Sequence, residues 1–327
     1  MKFAGIIAEY DPFHNGHAWQ LAQAKALGAE RVAVAMSCSL VQRGALPLLP
    51  EAVRTRSALT CGADLVFALP APCACAGAEA FARAGVALLA AAGCDGLVFG
   101  AETPDAALLM EAAELLDSGS YRAALKAQLA GGARSFAAAR QAAAAQLASD
   151  ERVAALLDKP NNNLAVEYCR AIRSLAPRME AYPLPRQGAN HGEALHSAHG
   201  QFASASALRK LWAEGGADAV APYVPEAVFP LYQEAYAAGQ YTDFSAAGRC
   251  ELALLRSACR GKAPFADIRG VSEGLEHRLE AAVRTSTTYD ELLDALTTVR
   301  YPRARMRRLA MDAALGCTAD SLPALPP

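Results

Sequence analysis

Residues Phe3 to His17 read Phe-Ala-Gly-Ile-Ile-Ala-Glu-Tyr-Asp-Pro-Phe-His-Asn-Gly-His and give the strongest indication of the fold. Its first six residues are an apolar run that predicts a buried strand, and the segment around Pro12 predicts a turn. The pattern after His17 is helical, so His-Asn-Gly-His opens a helix directly after a strand. Such a helix N-terminus offers backbone N–H groups and partial positive charge to phosphate oxygens. The stretch therefore predicts a site for the phosphates of ATP.

His14 and His17 are the candidate catalytic residues of this site. Their spacing places both on one face of the first helical turn. Both imidazoles could donate hydrogen bonds to oxygens that gain charge when the α-phosphate is attacked. Gly16 between them leaves room for a nucleotide close to the backbone. The alternative interpretation is that His14 only caps the helix and that His17 is a satisfied core residue.

The composition is that of a globular chain of 327 residues, with 53% hydrophobic residues and a formal net charge of −2. This length predicts two domains, or one domain with an appendage. The charge excludes an overall basic field that would attract nucleic acid. The nine cysteines lack zinc-type spacing, which is typical of a reducing cytosol. The sequence has no signal-peptide pattern and no apolar run of about 18 residues, so we expect a cytoplasmic protein.

Strand and helix patterns alternate through the first hundred residues. Predicted strands cover 2–9, 31–36, 63–69 and 95–99, with helices over 15–27, 51–61 and 77–92 between them. This alternation predicts an α/β fold with a Rossmann-like parallel sheet covered on both faces. Ligands bind such sheets beyond the carboxyl ends of the strands.

The rest of the chain is mostly helical in pattern. Residues 103–158 predict a helical insertion, and a helix over 161–174 leads to a last strand over 179–184. Another helix is predicted over 204–212, and only helical patterns follow from about residue 215. We therefore expect an ATP-binding domain with the parallel sheet at 1–214 and an all-helical domain at 215–327.

Further candidate residues follow the later strands. Gly100 ends a predicted strand, where a nucleotide could pack against the backbone. Residues 161–163 are three asparagines, of which one is predicted to cap a helix while a spare amide reads adenine or holds phosphate. Ser204 and Ser206 start a helix that also carries Arg209, which would make a second phosphate cradle.

Two segments remain open to more than one interpretation. The basic run with Arg300, Arg303 and Arg307 could hold RNA phosphates, or it could be a solvated helix start. A Gly-rich segment carries three histidines whose spacing does not fit one helical face, and we expect a loop over the cleft rather than a metal site: His191, His196 and His199.

Several motifs occur in the order found in one known family. Beyond the first segment they are Met36-Ser37 with Val41-Gln42-Arg43-Gly44, Gly62-Ala63-Asp64-Leu65-Val66, Val98-Phe99-Gly100, Pro160-Asn161-Asn162 and Ser204-Ala205-Ser206-Ala207. With the first segment, these motifs resemble the bacterial tRNA(Met) cytidine acetate ligase family over nearly the whole chain. The resemblance implies a Rossmann-like nucleotidyltransferase core, here the ATP-binding domain at 1–214, and a tRNA contact in the helical domain at 215–327.

The resemblance also implies a two-step reaction. Acetate would attack the α-phosphate of ATP, giving acetyl-adenylate and pyrophosphate, and the acetyl group would then pass to the wobble cytidine of elongator tRNA(Met). Mg²⁺ would accompany the triphosphate. The ATP site would comprise Ile7, Ala8, Glu9, Tyr10, Pro12, Phe13, His14, Gly16, His17, Gln20, Gly100, Asn162 and Arg186, together with the helix start at Ser204 and Ser206.

Three departures from the family pattern keep other functions open. Asp11 stands where the family usually has Asn, residues 297–301 lack two lysines, and the sequence stops soon after Gly316. The missing lysines and the short C-terminus, together with the net charge of −2, favour a second hypothesis, an adenylyltransferase that acts on a small carboxylate or phosphate without tRNA. A third hypothesis is a nucleotide-binding protein without turnover, against which the intact His14 and His17 argue.

Overall fold

The structure is a computed structural model that describes residues 1–133, 135–186, 195–197, 200–260 and 263–321. Five strands form one parallel sheet: β1 Phe3–Ala8, β2 Arg31–Ser37, β3 Leu65–Leu69, β4 Gly96–Ala101 and β5 Glu180–Pro185. Their order is β3-β2-β1-β4-β5, so β1 lies at the centre. The predicted parallel sheet is confirmed, and its central strand leads directly to the two candidate histidines.

Helices cover both faces of this sheet. The helices that connect its strands are α1 Asn15–Ala26, α2 Glu51–Thr60, α3 Ala71–Ala74, α4 Ala78–Ala91 and, after the insertion, α9 Pro160–Leu175. Helices α4 and α9 share one hydrophobic core with one face, while α1 and α2 pack on the other. Gly85 allows α4 to approach β1, because a Cβ atom there would lie 2.5 Å from Ile7 Cδ1. Burial on both faces explains why the strands are continuous apolar runs.

The predicted helical insertion is also confirmed. It consists of α5 Ala106–Asp117, α6 Gly119–Ala130, α7 Phe136–Leu147 and α8 Glu151–Leu156. Its buried residues belong to the same core as α4 and α9, so the insertion extends that face of the sheet. Gly131 and Gly132 separate α6 from α7, as the sequence predicts.

A short hairpin was not predicted. Strands β6 Leu195–Ser197 and β7 Gly200–Phe202 pair antiparallel in the segment for which we expected a loop. Three-residue strands next to glycine carry too little alternation to be recognised from sequence. Of the three histidines in this segment, His191 and His199 lie outside the described residues, and His196 is described by its backbone alone.

The carboxyl-terminal helices divide between two hydrophobic cores. They are α10 Ala205–Val220, α11 Phe229–Ala237, α12 Phe244–Ala258, α13 Leu275–Thr285, α14 Tyr289–Leu296 and α15 Arg303–Leu315. Trp212, Val220 and Tyr232 from α10 and α11 are buried with the sheet residues. Helices α12 to α15 enclose a core of their own, with Leu255 and Leu279 at its centre. The change from one core to the other therefore lies near residue 240, whereas the domain boundary at 214 stays a prediction.

Within the described ranges, no helix is both long enough and apolar enough to cross a membrane. All nine cysteines are free thiols.

Candidate active site

The two candidate histidines form a reciprocal cap at the start of α1. His14 is the N-cap residue, and its Nδ1 accepts a hydrogen bond from the Gly16 N–H at 3.0 Å. The Nδ1 of His17 accepts in turn from the His14 N–H at 3.3 Å. The rings stack with their centroids 3.8 Å apart and an interplanar angle of 26°. Because each Nδ1 is an acceptor, each ring carries its proton on Nε2, and both Nε2–H groups are donors.

Both imidazoles are held neutral. Burial, together with the smaller effects of the Arg186 and Arg209 charges, lowers the pKa of His14 to about 3. Burial also lowers the pKa of His17 well below its usual value, and His14 and Arg186 contribute to the same decrease. Both side chains are half-buried rather than sealed in the interior. The capping interpretation is thus correct for His14, and capping leaves both Nε2 donors available to a ligand.

Buried aromatic residues of the turn support the ring of His17. The ring of Tyr10 packs edge-on against His17 at 4.8 Å between centroids and against Phe13 at 4.9 Å. Tyr10 has a φ of +49°, which turns the chain sharply after β1. The Tyr232 hydroxyl donates to the Phe13 carbonyl at 2.7 Å and so ties this turn to α11.

Asp11 links the turn to two arginines. Its carboxylate is almost fully buried and lies 2.8 Å from Arg43 and 3.4 Å from Arg209. Its other oxygen accepts a hydrogen bond from the Leu48 N–H at 2.5 Å. The guanidinium of Arg209 also donates to the Asp11 carbonyl at 2.6 Å. Asp11 therefore fixes Arg209 and the loop after β2 relative to the histidines.

Arg54 is a buried residue that sequence reasoning missed. Its side chain is inaccessible to solvent and donates to the carbonyls of Glu9 at 2.7 Å, Ser37 at 2.6 Å and Leu49 at 2.9 Å. It also donates to the carbonyl of Cys38. These contacts clamp the carboxyl ends of β1 and β2 around the site. The only sequence signal is an arginine on the same face of α2 as Val53 and Ser57.

The remaining residues of the first segment face different neighbours. Ile7 packs against α4, and the Glu9 carboxylate accepts from the Gln42 N–H. Gln20 donates to the Val98 carbonyl at 3.1 Å, which ties α1 to β4. Ala8 and Gly16 are partly exposed, whereas Pro12 is buried.

The three asparagines act differently from the prediction. Lys159 is the N-cap of α9, and the Glu102 carboxylate accepts from the backbone N–H groups of Asn161 at 3.2 Å and Asn162 at 2.6 Å. The prediction of an asparagine cap is therefore wrong, since an acidic residue 60 positions away takes that role. The Asn162 amide accepts from the Thr103 N–H at 2.9 Å and donates to its hydroxyl at 3.1 Å. Asn162 thus shapes the loop after β4.

The residues predicted to form a second phosphate cradle lie at the start of α10. Ser204 caps this helix by accepting from the Ala207 N–H at 3.2 Å, and Ser206 is exposed in the first turn. On the opposite side, Gly100 is exposed at the end of β4, next to Arg186 at the end of β5. A Cβ atom on Gly100 would lie 3.5 Å from Arg186 Cγ. The chain ends of β1, β4 and β5 therefore bring the histidines, Gly100 and Arg186 to one edge of the sheet.

The predicted RNA-binding arginines do not form one free patch. Arg300 lies 2.5 Å from Glu273. Arg303 pairs with Asp290 at 2.6 Å and also with Asp294. Arg307 instead lines a cavity that also contains Arg209. The run is thus split between an ion-paired surface and a cavity wall.

A parallel sheet whose central strand leads into His-Asn-Gly-His at a helix N-terminus defines a nucleotidyltransferase-type fold. The chain belongs to the HIGH Nucleotidyl Transferase family, whose model matches residues 1–326.

The relatives of this chain have a more specific name than the family. It is 36% identical to the tRNA(Met) cytidine acetate ligase of Syntrophotalea carbinolica over 314 residues, which cover 95% of this chain and 73% of the relative. It is 33% identical to the tRNA(Met) cytidine acetate ligase of Acetivibrio thermocellus over 98% of this chain and 79% of the relative.

Solved structures agree with this assignment. Apo Thermotoga maritima TmcAL in form I is similar with a TM-score of 0.90 and 30% identity, covering 98% of this chain and 77% of that one. The same protein bound with alpha-thio ATP in form II gives a TM-score of 0.88 and 29% identity, covering 98% and 76%.

Proposed function

We propose that this chain is a cytoplasmic, ATP-dependent ligase that activates acetate as acetyl-adenylate and transfers the acetyl group to the wobble cytidine of elongator tRNA(Met). The observation that carries the proposal is the pair of neutral imidazoles, His14 and His17, whose Nε2–H donors lie at the N-terminus of α1. The names of its relatives, and the ATP analogue bound by Thermotoga maritima TmcAL, support it.

In the first step, ATP would lie over the N-terminus of α1, with its phosphates between the histidines and the start of α10 at Ser204 and Ser206. An acetate oxygen attacks the α-phosphorus, and the bond from that phosphorus to the pyrophosphate oxygen breaks. The Nε2–H groups of His14 and His17 would stabilise charge on the α-phosphate oxygens as it develops. Because both rings are neutral and accept at Nδ1, each presents its one N–H donor at Nε2.

In the second step, the exocyclic amine of cytidine attacks the carbonyl carbon of acetyl-adenylate. The bond from that carbon to the AMP oxygen breaks, the nitrogen loses one proton, and AMP departs. A reactive mixed anhydride requires exclusion of water during transfer, and half-burial of the histidine pair in the crevice fits that requirement.

Mg²⁺ would accompany the triphosphate. Among the residues that the structure describes, no three His, Cys, Asp or Glu side chains cluster so that they could hold a metal ion. Mg²⁺ commonly keeps its waters and binds through substrate phosphates, and this chain fits that arrangement better than a protein cage. Arg186 and Arg209 are the cations of this chain that would face the remaining phosphate charge.

A second candidate function is an adenylyltransferase for a small carboxylate or phosphate without tRNA. The observation that favours it is the pairing of Arg300 and Arg303 with acidic neighbours, which removes two of the three predicted RNA contacts.

One incubation separates these candidates. The protein receives ¹⁴C-acetate, ATP and bulk bacterial tRNA, and the products are resolved by acid precipitation and thin-layer chromatography. Label in tRNA supports the proposal, whereas label only in a small adenylate supports the second candidate. Label in neither, together with no acetate-dependent ATP–pyrophosphate exchange, would leave a nucleotide-binding protein without turnover.

A further inference from the structure

A cavity of about 1010 Å³ lies beside the candidate active site, between the loop after β2, the start of α10 and helices α12, α14 and α15. One wall carries Arg43 and Arg209, the two arginines held by Asp11. The opposite wall carries Phe244, Glu251 and Tyr289, together with further cations and apolar residues. The volume is large enough for more than one nucleotide unit, since pockets for drug-sized ligands measure roughly 300–1,000 Å³.

We infer that this cavity binds a single-stranded RNA segment and that Glu251 selects a base with an exocyclic amine, which makes Glu251 a specificity-determining residue for the acceptor. The inference rests on the proposed function, because a ligase that acylates an amine needs a site for the nucleotide that carries it. A binding cavity next to the histidine pair would bring this nucleotide to the activated acetyl group.

The charges of the cavity favour a polyanion. Lys210, Arg249 and Arg307 line it in addition to Arg43 and Arg209. Among the described residues, neither Arg249 nor Arg307 has a carboxylate within ion-pair distance, whereas both arginines on the opposite wall share Asp11. Uncompensated arginines in a concave wall attract phosphate groups and focus the electrostatic field.

Aromatic side chains are also available to a base. Phe244 is 37% exposed and has the Arg43 guanidinium over its ring at 5.6 Å. Stacking of bases on aromatic rings and on arginine planes is the usual mode by which proteins hold single-stranded nucleic acid. A free mononucleotide would use one such surface, whereas a strand uses the ring and the dispersed cations together.

Glu251 supplies the selectivity. Its side chain is only 9% exposed, and its Oε1 accepts a hydrogen bond from the Tyr289 hydroxyl at 2.5 Å. No hydrogen bond to its Oε2 is found among the described residues, and Oε2 is not one of their buried atoms without a partner, so solvent in the cavity that the side chain lines can reach it. Burial raises the pKa of Glu251 to about 7, although Tyr289 and Arg307 oppose this shift. A ligand that fills the cavity would displace this solvent and must then supply a donor to the open oxygen.

The hydrogen-bonding groups of cytosine and uracil determine which of these bases Glu251 prefers. Cytosine presents an exocyclic amine that donates to the ionised carboxylate of Glu251. Uracil presents a carbonyl oxygen in place of the amine, so that it would set an acceptor against the carboxylate oxygen. The protonated acid is both donor and acceptor and can pair with either base, so it is the ionised form of Glu251 that favours cytosine.

The test is a binding experiment with elongator tRNA(Met) transcripts that carry either cytidine or uridine at the wobble position. At pH 8, above the pKa of about 7 of Glu251, the wild-type protein is expected to bind the cytidine transcript about tenfold more tightly, a factor within the range of one hydrogen bond to a charged group. Glu251→Gln should lower this preference to about twofold, because its amide also presents a donor to uracil. The matched control is Glu114→Gln, whose side chain is 72% exposed on α5 and which should leave the preference unchanged.

A second variant tests the cavity without altering the selecting acid. Arg307→Ala should weaken the binding of both transcripts equally. It should also reduce the slope of log K against log salt by about 0.7, because one contact to a single-strand phosphate is lost. The control is Arg152→Ala, at a side chain 66% exposed and paired with Asp150.

The outcomes separate this inference from the proposed function. Acetate-dependent pyrophosphate exchange by the wild-type protein needs no RNA, so its absence would overturn the proposed function itself. Exchange together with an unchanged cytidine preference in Glu251→Gln, or an unchanged salt slope in Arg307→Ala, would overturn the inference alone. Failure of the wild-type protein to bind either transcript would also overturn it, and the cavity would then not hold RNA.

Discussion

The Nδ1 atoms of His14 and His17 both accept backbone hydrogen bonds, so the two stacked rings present the same edge, Nε2–H, away from the helix. The same two side chains therefore cap the helix and present two donors for phosphate oxygens. The cap fixes the tautomer that the proposed chemistry needs, in the way that a second hydrogen bond usually fixes the tautomer of a functional histidine.

Replacing His17 tests this pair directly. His17→Ala removes one of the two donors, and we expect acetyl-adenylate formation to fall by about 10²-fold or more. The fold should persist, since the variant loses one capping hydrogen bond worth about 1 kcal/mol. Acetate-dependent ATP–pyrophosphate exchange measures the rate, and thermal unfolding measures the stability. His277→Ala is the control, because that side chain is 78% exposed on α13. Exchange near the wild-type rate would contradict the assigned role of His17.

The lowered pKa values of the pair predict how stability depends on pH. The pKa of His14 is about 3 in the folded protein and that of His17 is also far below its usual value, so both rings stay neutral when the pH falls below 6.5. The unfolded chain takes up protons at these positions below about 6.5, whereas the folded chain does not. Unfolding free energy should therefore fall as the pH drops from 6.5 toward 4, by up to about 1.4 kcal/mol per pH unit for each ring.

Urea denaturation across this pH range measures the effect. His14→Asn keeps a capping side chain but removes one titrating group, so its stability should depend less steeply on pH than that of the wild-type protein. Equal slopes for the two proteins would show that His14 titrates alike in the folded and unfolded chain.

Arg54 should contribute strongly to stability. Its guanidinium serves four carbonyl groups around the ends of β1 and β2, and a lysine ammonium cannot reach all of them from the same stem. Arg54→Lys should lower the unfolding free energy by about 3 kcal/mol, since it leaves buried carbonyls without partners. Arg56→Lys on the same helix is the matched control, because that side chain is 61% exposed. A loss below about 1 kcal/mol in urea denaturation would show that the clamp is dispensable.

The elements that sequence could predict are those specified by their own residues. Strands such as β1 and β2 are buried on both faces and therefore appear as continuous apolar runs. The start of α1 was likewise evident from His14 and the glycine that follows. Local patterns do not specify partners that are distant in the chain. The Glu102 carboxylate replaces the expected asparagine cap of α9, and Arg54 binds carbonyls from three separate segments. The order of the strands and the hairpin of β6 and β7 also depend on such contacts.

The ion pairs of Arg300 and Arg303 change the contribution to RNA binding that we expect from the basic run. Arg303 is held by Asp290 and Asp294, so Arg303→Ala should leave the salt dependence of tRNA binding nearly unchanged. The same holds for Arg300→Ala, because Glu273 already neutralises that charge. Filter binding at several salt concentrations measures the slope, with the wild-type protein as reference. A drop of about 0.7 in either variant would place that arginine on an RNA phosphate after all.

Asp11 forms ion pairs with two arginines beside the site, and its negative charge weakens their attraction for the phosphates of ATP. Asp11→Asn keeps an oxygen that accepts from the Leu48 N–H but removes the charge that Arg43 and Arg209 share. The ligand-free variant should melt at a lower temperature, because both guanidinium groups lose their buried partner. ATP should then stabilise the variant more than it stabilises the wild-type protein, since its phosphates would replace the missing carboxylate.

Thermal shift measurements with and without ATP compare the two proteins. Asp312→Asn is the control, because it breaks another buried pair, with Arg269, that lies outside the histidine crevice. It should lower the melting temperature of the ligand-free protein without enlarging the ATP-dependent shift. If Asp11→Asn also fails to enlarge that shift, Arg43 and Arg209 do not contact the triphosphate, and their role is confined to fixing the loop after β2 against α10.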